Sequence, residues 1–329
     1  DTSKVEHIAL ARQADLLVIA PASANIIAKL RWGLADDLLS TTSLACTCPK
    51  LLVPAMNTNM YENPATQENL SVLRQRGYIV MEPLSGHLAC GAVGKGKMPE
   101  PDDIYDRIEA ILACQKDLRG LRILVTAGPT QEPLDPVRYL TNHSSGKMGY
   151  AIAHAAMLRG ADVTLVSGPT ALKYPPLVRT IPIVTAQDMY EAVTREAEHA
   201  DIIIKAAAVA DYTPETVADN KIKKSDSDLS IPLRRTQDIL GYLGTHRRPG
   251  QFLCGFSMET EHMLENSRKK LSKKNLDMIV ANNVKDTGAG FQGNTNVITM
   301  ITHDSVTQLP LMDKEEAAHA ILTEILSRR

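Results

Sequence analysis

Net charge is almost absent from this chain: 36 Lys and Arg against 38 Asp and Glu leave −2, with a pI near 6.5. That balance supplies no basic field for nucleic acid and no polybasic patch for a membrane surface, so small charged metabolites are the better expected partners. No apolar run approaches the roughly 18 residues of a bilayer span, and no signal peptide is recognisable at Asp1. Cysteine is scarce and odd in number. The five, at 46, 48, 90, 114 and 254, form neither a disulfide framework nor a paired Cys-x-x-Cys zinc signature. No protein-only metal cage is visible, and a reducing, cytoplasmic home is expected.

What is present is length and alternation. A chain of 329 residues is too long for one ordinary core and reads as two domains. Short apolar runs that suit buried strands recur at 16–21, 50–55, 78–82, 122–128, 162–168, 201–208 and 278–283. Helical patterns fall between most of them, at 63–76, 146–159, 186–199 and 260–274, with another amphipathic one at 102–113. Strands alternating with helices predict an α/β fold: two three-layer, Rossmann-like domains with mainly parallel sheets. The expected boundaries are 1–115 for the first domain, 116–120 for a linker and 121–329 for the second.

In the first half, "PASAN" (21–25) follows a strand and precedes a helix, so Ala22, Ser23, Ala24 and Asn25 sit where helix N-terminal amides suit an anion or the polar edge of a flat ring. A simple strand-to-helix turn reads the same way. "PAMNTNMY" (54–61) puts Asn57 at the carboxyl end of the next strand, either as a helix N-cap or as an uncharged donor to a carboxylate. His7 lies near the start of a helix, where an ordinary solvated histidine is equally in keeping. "GHLACGAVGKGKM" (86–98) sets Cys90 among four glycines, open to reading as a metal ligand, a buried spectator or a proton donor on a yielding loop.

Taken together in this order, "PASANI", "PAMNTNMY" and "HLACGAVGKGKM" resemble the flavin-dependent cysteine decarboxylases, specifically the phosphopantothenoylcysteine decarboxylases, with Tyr61 where Trp is common and Lys97 where Arg is common. The resemblance implies FMN as cofactor, bound in part by residues 22–25. Losing CO2 from a carbon that carries only an amide nitrogen and CH2SH leaves an unstabilised carbanion, and flavin oxidation of the thiol carbon removes that obstacle. Cys90 would then be the acid that protonates the resulting enethiol, on a flap that closes and reopens. Asn57 would hold the substrate carboxylate, and His7 would handle a proton near the thiol. In that family a preceding strand and loop bind the flavin phosphate; a chain beginning at Asp1 is expected to lack them and to hold FMN poorly by itself.

In the second half, "TAGPTQEPLDPVRYLTNHSSGKMG" (126–149) enters a helix through Ser144, Ser145, Gly146 and Gly149, whose amides suit phosphate. It is neither G-x-G-x-x-G nor a Walker loop, which disfavours an NAD-dependent oxidoreductase. "NKIKK" (220–224) presents lysines on a loop, and Lys270 and Lys274 stand four apart on one helical face, where a polyanion would offset their repulsion.

Residues 121–329 resemble the phosphopantothenate–cysteine ligases through "GPTQEPLDPVRYLTNHSSGKMG", "AAAVADY" (206–212), "KIKK" (221–224), "GFSMET" (255–260) and "KNLD" (274–277). Both halves in one chain resemble the fused bacterial family of coenzyme A synthesis. The resemblance implies that CTP and Mg2+ activate 4'-phosphopantothenate as an acyl-cytidylate, from which the amine of L-cysteine displaces CMP. It places Lys221 at the phosphates, Asn142 on the acyl-cytidylate, and Ala207, Ala208, Asp211, Gln237, Asp238, Ile239, Leu240, Phe256, Lys270 and Lys274 around the nucleotide. Mg2+ is expected on phosphate oxygens, largely through water. Lys205 before "AAAV" is unusual for a buried strand. The family further implies dimeric ligase domains and decarboxylase domains built on trimers or a dodecamer. A ligase alone, or a nucleotide- or flavin-binding module without turnover, are the competing readings.

Overall fold

A computed structural model describes residues 5–87, 91, 93–113, 116–224, 229–259, 262–283 and 293–329, which fall into two compact units, Asp1–Ala113 and Cys114–Arg329. In the first unit the elements run α1 (Glu6–Gln13), β1 (Leu17–Ala22), α2 (Ala24–Trp32), α3 (Leu38–Ala45), β2 (Lys50–Pro54), α4 (Thr58–Glu62), α5 (Pro64–Gln75), β3 (Ile79–Val80), β4 (Leu84–His87), β5 (Val93–Lys97) and α6 (Pro101–Leu112). Strands β1, β2 and β3 form a parallel sheet in that order. Alternation along β2 divides the core: Leu52 joins Ile19, Ile27, Leu70 and Leu73 on one face, while Leu51 and Val53 pack with Ile104 of α6 on the other. Helix α2 starts where Ser23 Oγ accepts the Ile26 amide and ends at Gly33, whose φ of 70° closes the last turn.

The second unit continues with β6 (Arg122–Ala127), β7 (Gln131–Pro133), β8 (Tyr139–Thr141), α7 (Lys147–Leu158), β9 (Asp162–Ser167), β10 (Arg179–Pro182), α8 (Ala186–Ala197), β11 (Ile202–Lys205), β12 (Tyr212–Pro214) and β13 (Leu233–Arg235). It closes with α9 (Ile239–His246), β14 (Phe252–Glu259), α10 (Met263–Lys273), β15 (Met278–Asn283), β16 (Thr295–Asn296), β17 (Ile298–Thr302), β18 (Val306–Gln308), β19 (Met312–Asp313) and α11 (Lys314–Ser327). Eight strands make one sheet in the order β10-β9-β6-β11-β14-β15-β17-β18, parallel as far as β15 and antiparallel beyond it. Its central strands are nearly continuous apolar runs, as burial on both faces demands; Ile202, Ile203 and Ile204 are fully buried. Helices α8, α9 and α10 cover one face through Met189, Val193, Ile239, Leu243 and Leu271. Helix α7 packs on β6 and β9, with α11 against it.

The architecture adds elements to the sequence reading, among them the edge strand β10 and the β4–β5 hairpin. Strand β14, which carries Phe256, is not expected from sequence, because Gly255 and Ser257 dilute its apolar run. Neither are the antiparallel strands β17 and β18. The segment 116–120, read as a linker, is fastened to the second unit: Leu118 is buried, its amide donates to Arg159 O, and Asp117 pairs with the buried Arg159 guanidinium at 2.6 Å.

Candidate functional site

Beyond the carboxyl end of β11 lies a cavity of about 510 Å3, at the edge where open parallel sheets take ligands. Of the residues read from sequence, Ala207 and Asp211 line one wall, Gln237, Asp238, Ile239 and Leu240 another, and Phe256, Lys270 and Lys274 a third. Lys205, Val209, Tyr212, Arg235 and Thr236 line it as well, and the sequence reading did not assign them to the site. Three of these carried a signal. Lys205 is a cation in an apolar strand run, and Arg235 and Thr236 lead directly into Gln237–Leu240.

The 206–211 wall is held by threonine hydroxyls. Thr126 in β6 and Thr130 in the loop that follows it, both fully buried, accept the amides of Ala207 (3.1 Å) and Ala210 (3.0 Å). The amide of Ala208 donates to Gly128 O at 2.9 Å, and Thr236 returns a hydroxyl bond to Ala210 O at 2.6 Å. Backbone polar groups on this loop are thereby satisfied in one conformation, which fixes where Asp211 stands.

Opposite, Asp238 caps α9, its Oδ1 accepting the Gly241 amide at 2.9 Å while Oδ2 pairs with Lys274. A Cβ at Gly241 would come within 2.5 Å of that carboxylate and push it from its present position. Burial alone would raise the Asp238 pKa, but Lys274 and the Gly241 amide hold it below its ordinary value. Lys274 is the C-cap of α10, and Lys270 in its last turn donates to Phe256 O at 2.8 Å. The expected repulsion between these two lysines is thus offset by Asp238 and by the negative end of the helix dipole.

Lys205 ends β11 between Thr126 and Gly255 and is only 7% exposed. Its ammonium donates to Met189 Sδ at 3.6 Å, and its pKa is lowered to about 7, first by burial and then by repulsion from Lys270, with Asp238 opposing.

Three expected residues stand outside the cavity lining. Asn142 is exposed and donates Nδ2 to Ala208 O (3.3 Å) and Val209 O (3.2 Å), which also locates Ala208 behind the cavity wall. Lys221 is exposed, but its neighbour is clamped: the Ile222 amide donates to Asp135 Oδ2 at 3.1 Å and Arg138 Nη2 donates to Ile222 O at 2.8 Å. Asp135 is buried, and the Arg138 guanidinium holds its carboxyl far below the usual range. Gly146 opens α7 at φ 76°, while Gly149 has a packing role besides: a Cβ there would sit 2.6 Å from Ala127 Cβ and 2.9 Å from Thr126 O.

In the first unit, β1 delivers Ala22 buried and Ser23 and Asn25 exposed at the first turn of α2. Small side chains, a hydroxyl and the unpaired amides of a helix start fit the polar edge of a flat cofactor such as FMN. Asn57 is the N-cap of α4, its Oδ1 accepting the Asn59 amide at 2.9 Å, so the structural role is realised there. His7 lies half-buried in the first turn of α1. Cys90 lies outside the described residues.

The strands flanking Cys90 are an antiparallel hairpin, β4 with β5, pressed onto the Asn57 loop. The Met56 amide donates to Gly96 O at 3.0 Å, and side chains at Gly94 and Gly96 would come within 2.5 Å of Thr58 Oγ1 and 2.2 Å of Met56 O. Gly96 permits a close approach of backbone to backbone, and Gly94 makes room for the Thr58 side chain. The hairpin is tied down further by Glu82, which accepts from Lys95 (2.8 Å), Arg74 (2.7 Å) and the buried Tyr61 hydroxyl (3.0 Å). Burial, then Glu82, raises the Tyr61 pKa. The Tyr in place of the common Trp thus has a partner for its hydroxyl. Lys97 pairs with Glu100 at 2.7 Å. Among the described residues no group of three or more His, Cys, Asp or Glu could hold a metal ion, and no helix is long and apolar enough to cross a membrane.

Comparison with known proteins agrees with this division. The family described as flavoprotein matches residues 1–113, and the family described as DNA/pantothenate metabolism flavoprotein C-terminal domain matches residues 118–328. The coenzyme A biosynthesis bifunctional protein CoaBC of Bacillus subtilis is 49% identical over 327 residues, 98% of this chain and 80% of that protein. Its Escherichia coli K12 counterpart is 45% identical over 325 residues, again 98% and 80%. A crystal structure of the C-terminal domain of a CoaBC protein superposes with a TM-score of 0.56 at 47% identity, covering 65% of this chain and 97% of that one. The chain therefore belongs to the family of bifunctional CoaBC proteins of coenzyme A biosynthesis.

Proposed function

We propose that the second unit joins 4'-phosphopantothenate to L-cysteine through an acyl-cytidylate made from CTP, and that the first decarboxylates the product, 4'-phosphopantothenoylcysteine, to 4'-phosphopantetheine with FMN. The observation that carries this reading is the cavity: Lys205, Arg235, Lys270 and Lys274 against Asp211 and Asp238, with the Phe256 ring and apolar Ile239 and Leu240 beside them. Cations in excess suit a triphosphate, and an aromatic and aliphatic wall suits a base. Asp211, on its fixed loop, is in place to accept from ribose hydroxyls.

A carboxylate is a poor electrophile until its oxygen has attacked the α-phosphate of CTP and pyrophosphate has left. Lys221, on the segment that Asp135 and Arg138 clamp, would neutralise charge developing in that transfer. Asn142, beside Ala208 and Val209, would donate to the acyl-cytidylate while the cysteine amine displaces CMP. Mg2+ would be carried on the phosphate oxygens.

In the first unit Ser23 and Asn25 would hold the polar edge of FMN, with Ala22 and Ala24 leaving room for its ring. FMN, when bound, supplies an acceptor for the electrons of the thiol carbon and later returns a hydride. Asn57, whose Oδ1 caps α4, would hold the substrate carboxylate. His7 would move a proton, and Cys90, which lies between β4 and β5 in sequence, would supply one to the decarboxylated product.

The family's metabolic role supports a cytoplasmic location. Trp32, Leu34, Leu38, Leu39 and Leu44, all exposed on and around α2 and α3, support self-association of the first unit; the trimers or dodecamer, and the dimers of the second unit, follow from the family resemblance alone. Incubation with 4'-phosphopantothenate, cysteine, Mg2+ and CTP, with and without added FMN, tests both activities by product mass. The expected product without FMN is 4'-phosphopantothenoylcysteine, with CMP released; no condensed product with CTP or ATP would overturn the reading.

A further inference from the structure

Lys205 has an environment that the reaction as described does not use. The cation is enclosed at the end of the central strand, on the same face as Ile203 and above the layer that contains Met189, yet it opens on the nucleotide cavity. From α8 it is offered a thioether, a weak acceptor, at 3.6 Å. From α10 Lys270 repels it, and from the start of α9 Asp238 attracts it, although that carboxylate is already engaged by Lys274 and the Gly241 amide. The remaining charged groups of the cavity are Asp211 and Arg235. A buried ammonium without a strong acceptor is costly, and a group so placed sheds its proton before it is left uncompensated.

We propose that Lys205 is a proton-linked anchor for the nucleotide: its amine is only partly protonated in the free cavity, is driven to the ammonium as the nucleotide enters, and donates hydrogen bonds to it in that form. This rests on the reading of the cavity as a nucleotide site. The lowering of the free amine to about 7 agrees with it and sets the range of its effect. Well below pH 7 the ammonium already exists and binding takes up no proton at this residue. Above pH 7 each binding event draws a proton from the buffer, so affinity declines with rising pH by up to about tenfold per unit.

Calorimetry of CTP binding with Mg2+, in two buffers of different ionisation enthalpy at pH 6 and pH 8, tests the proposal on the full chain and on Lys205→Met and Lys205→Gln. Subtracting a variant from the parent removes proton exchange by the nucleotide's own phosphates. The expected result is close to one proton more taken up by the parent than by either variant at pH 8, a much smaller difference at pH 6, and at least tenfold weaker binding by both variants at pH 7. Melting temperatures of Lys205→Met at or above the parent's are expected, because methionine fills the space beside Met189 without a buried amine. Equal proton uptake and equal affinity in parent and variants would overturn the role of Lys205 while leaving the nucleotide site intact. A parent that binds neither CTP nor ATP would overturn both.

Discussion

Thr130 gives the sharpest handle on how the fold sets the cavity. Its hydroxyl is buried and accepts the amide of Ala210, itself buried, directly before Asp211. Thr130→Val keeps the side-chain shape, removes the acceptor and leaves that amide unpaired in the protein interior. An unsatisfied buried donor costs about 1–3 kcal/mol. In a unit of this size each kcal/mol lowers the melting temperature by about 2–4 °C, so a fall of roughly 4–8 °C follows from the middle of that range. Thr130→Ser is the control: it keeps the acceptor and loses only a methyl, worth about 1 kcal/mol. Because the lost bond fixes the loop that carries Asp211, CTP affinity measured by calorimetry should fall further in the valine variant than in the serine one. A valine variant that melts with the parent and binds CTP as tightly, beside a weakened serine variant, would refute the reasoning that the hydroxyl holds this wall.

Other consequences are as specific. Asn142→Asp would replace a donor to two carbonyls with an acceptor facing them; rapid quench should show pyrophosphate release retained and amide formation slowed by about 100-fold or more. Lys221→Gln should slow pyrophosphate release itself, and Asp135→Asn should do so to a lesser degree by freeing the Ile222 amide. Gly96→Ala would put a methyl against Met56 O and lift the β4–β5 hairpin, so decarboxylation should be lost while condensation persists. Since the folded protein holds Lys205 at about 7 and the unfolded chain at the ordinary lysine value, the unfolded state binds the extra proton between those values. Stability of the nucleotide-free protein should therefore gain from this group as pH rises from about 7 to 9.5, and Lys205→Met should flatten that gain in a thermal-melt series. Burial, then Asp277, pushes the Cys254 thiol well above its usual range. Alkylation at pH 8 should spare it in the native protein and reach it only on unfolding.

Much of the framework was legible because it rests on local pattern. Apolar runs such as Met278–Asn283 are strands in the structure with the same bounds, and Gln237–Leu240 and Phe256 line one cavity with Lys270 and Lys274. Strand β14 was hidden because a strand flanked by strong neighbours tolerates Gly255 and Ser257, residues that weaken its own signal. The segment 86–98 reads as a loop in sequence for a related reason: Gly94 and Gly96 serve contact with Thr58 and Met56, which are distant in sequence. The partners of Asn142 and Lys205 depend on which backbone and which sulfur the tertiary fold brings near. Periodicity contains no such information.

The most direct test of the central claim is a crystal structure with CTP and Mg2+ bound. The expected density lies in the cavity between Gln237–Leu240 and Phe256, with ribose hydroxyls at Asp211, Lys205 and Lys270 within reach of the ligand, and Lys221 brought to the phosphates. Nucleotide bound elsewhere on the second unit, with this cavity left to solvent, would contradict the account.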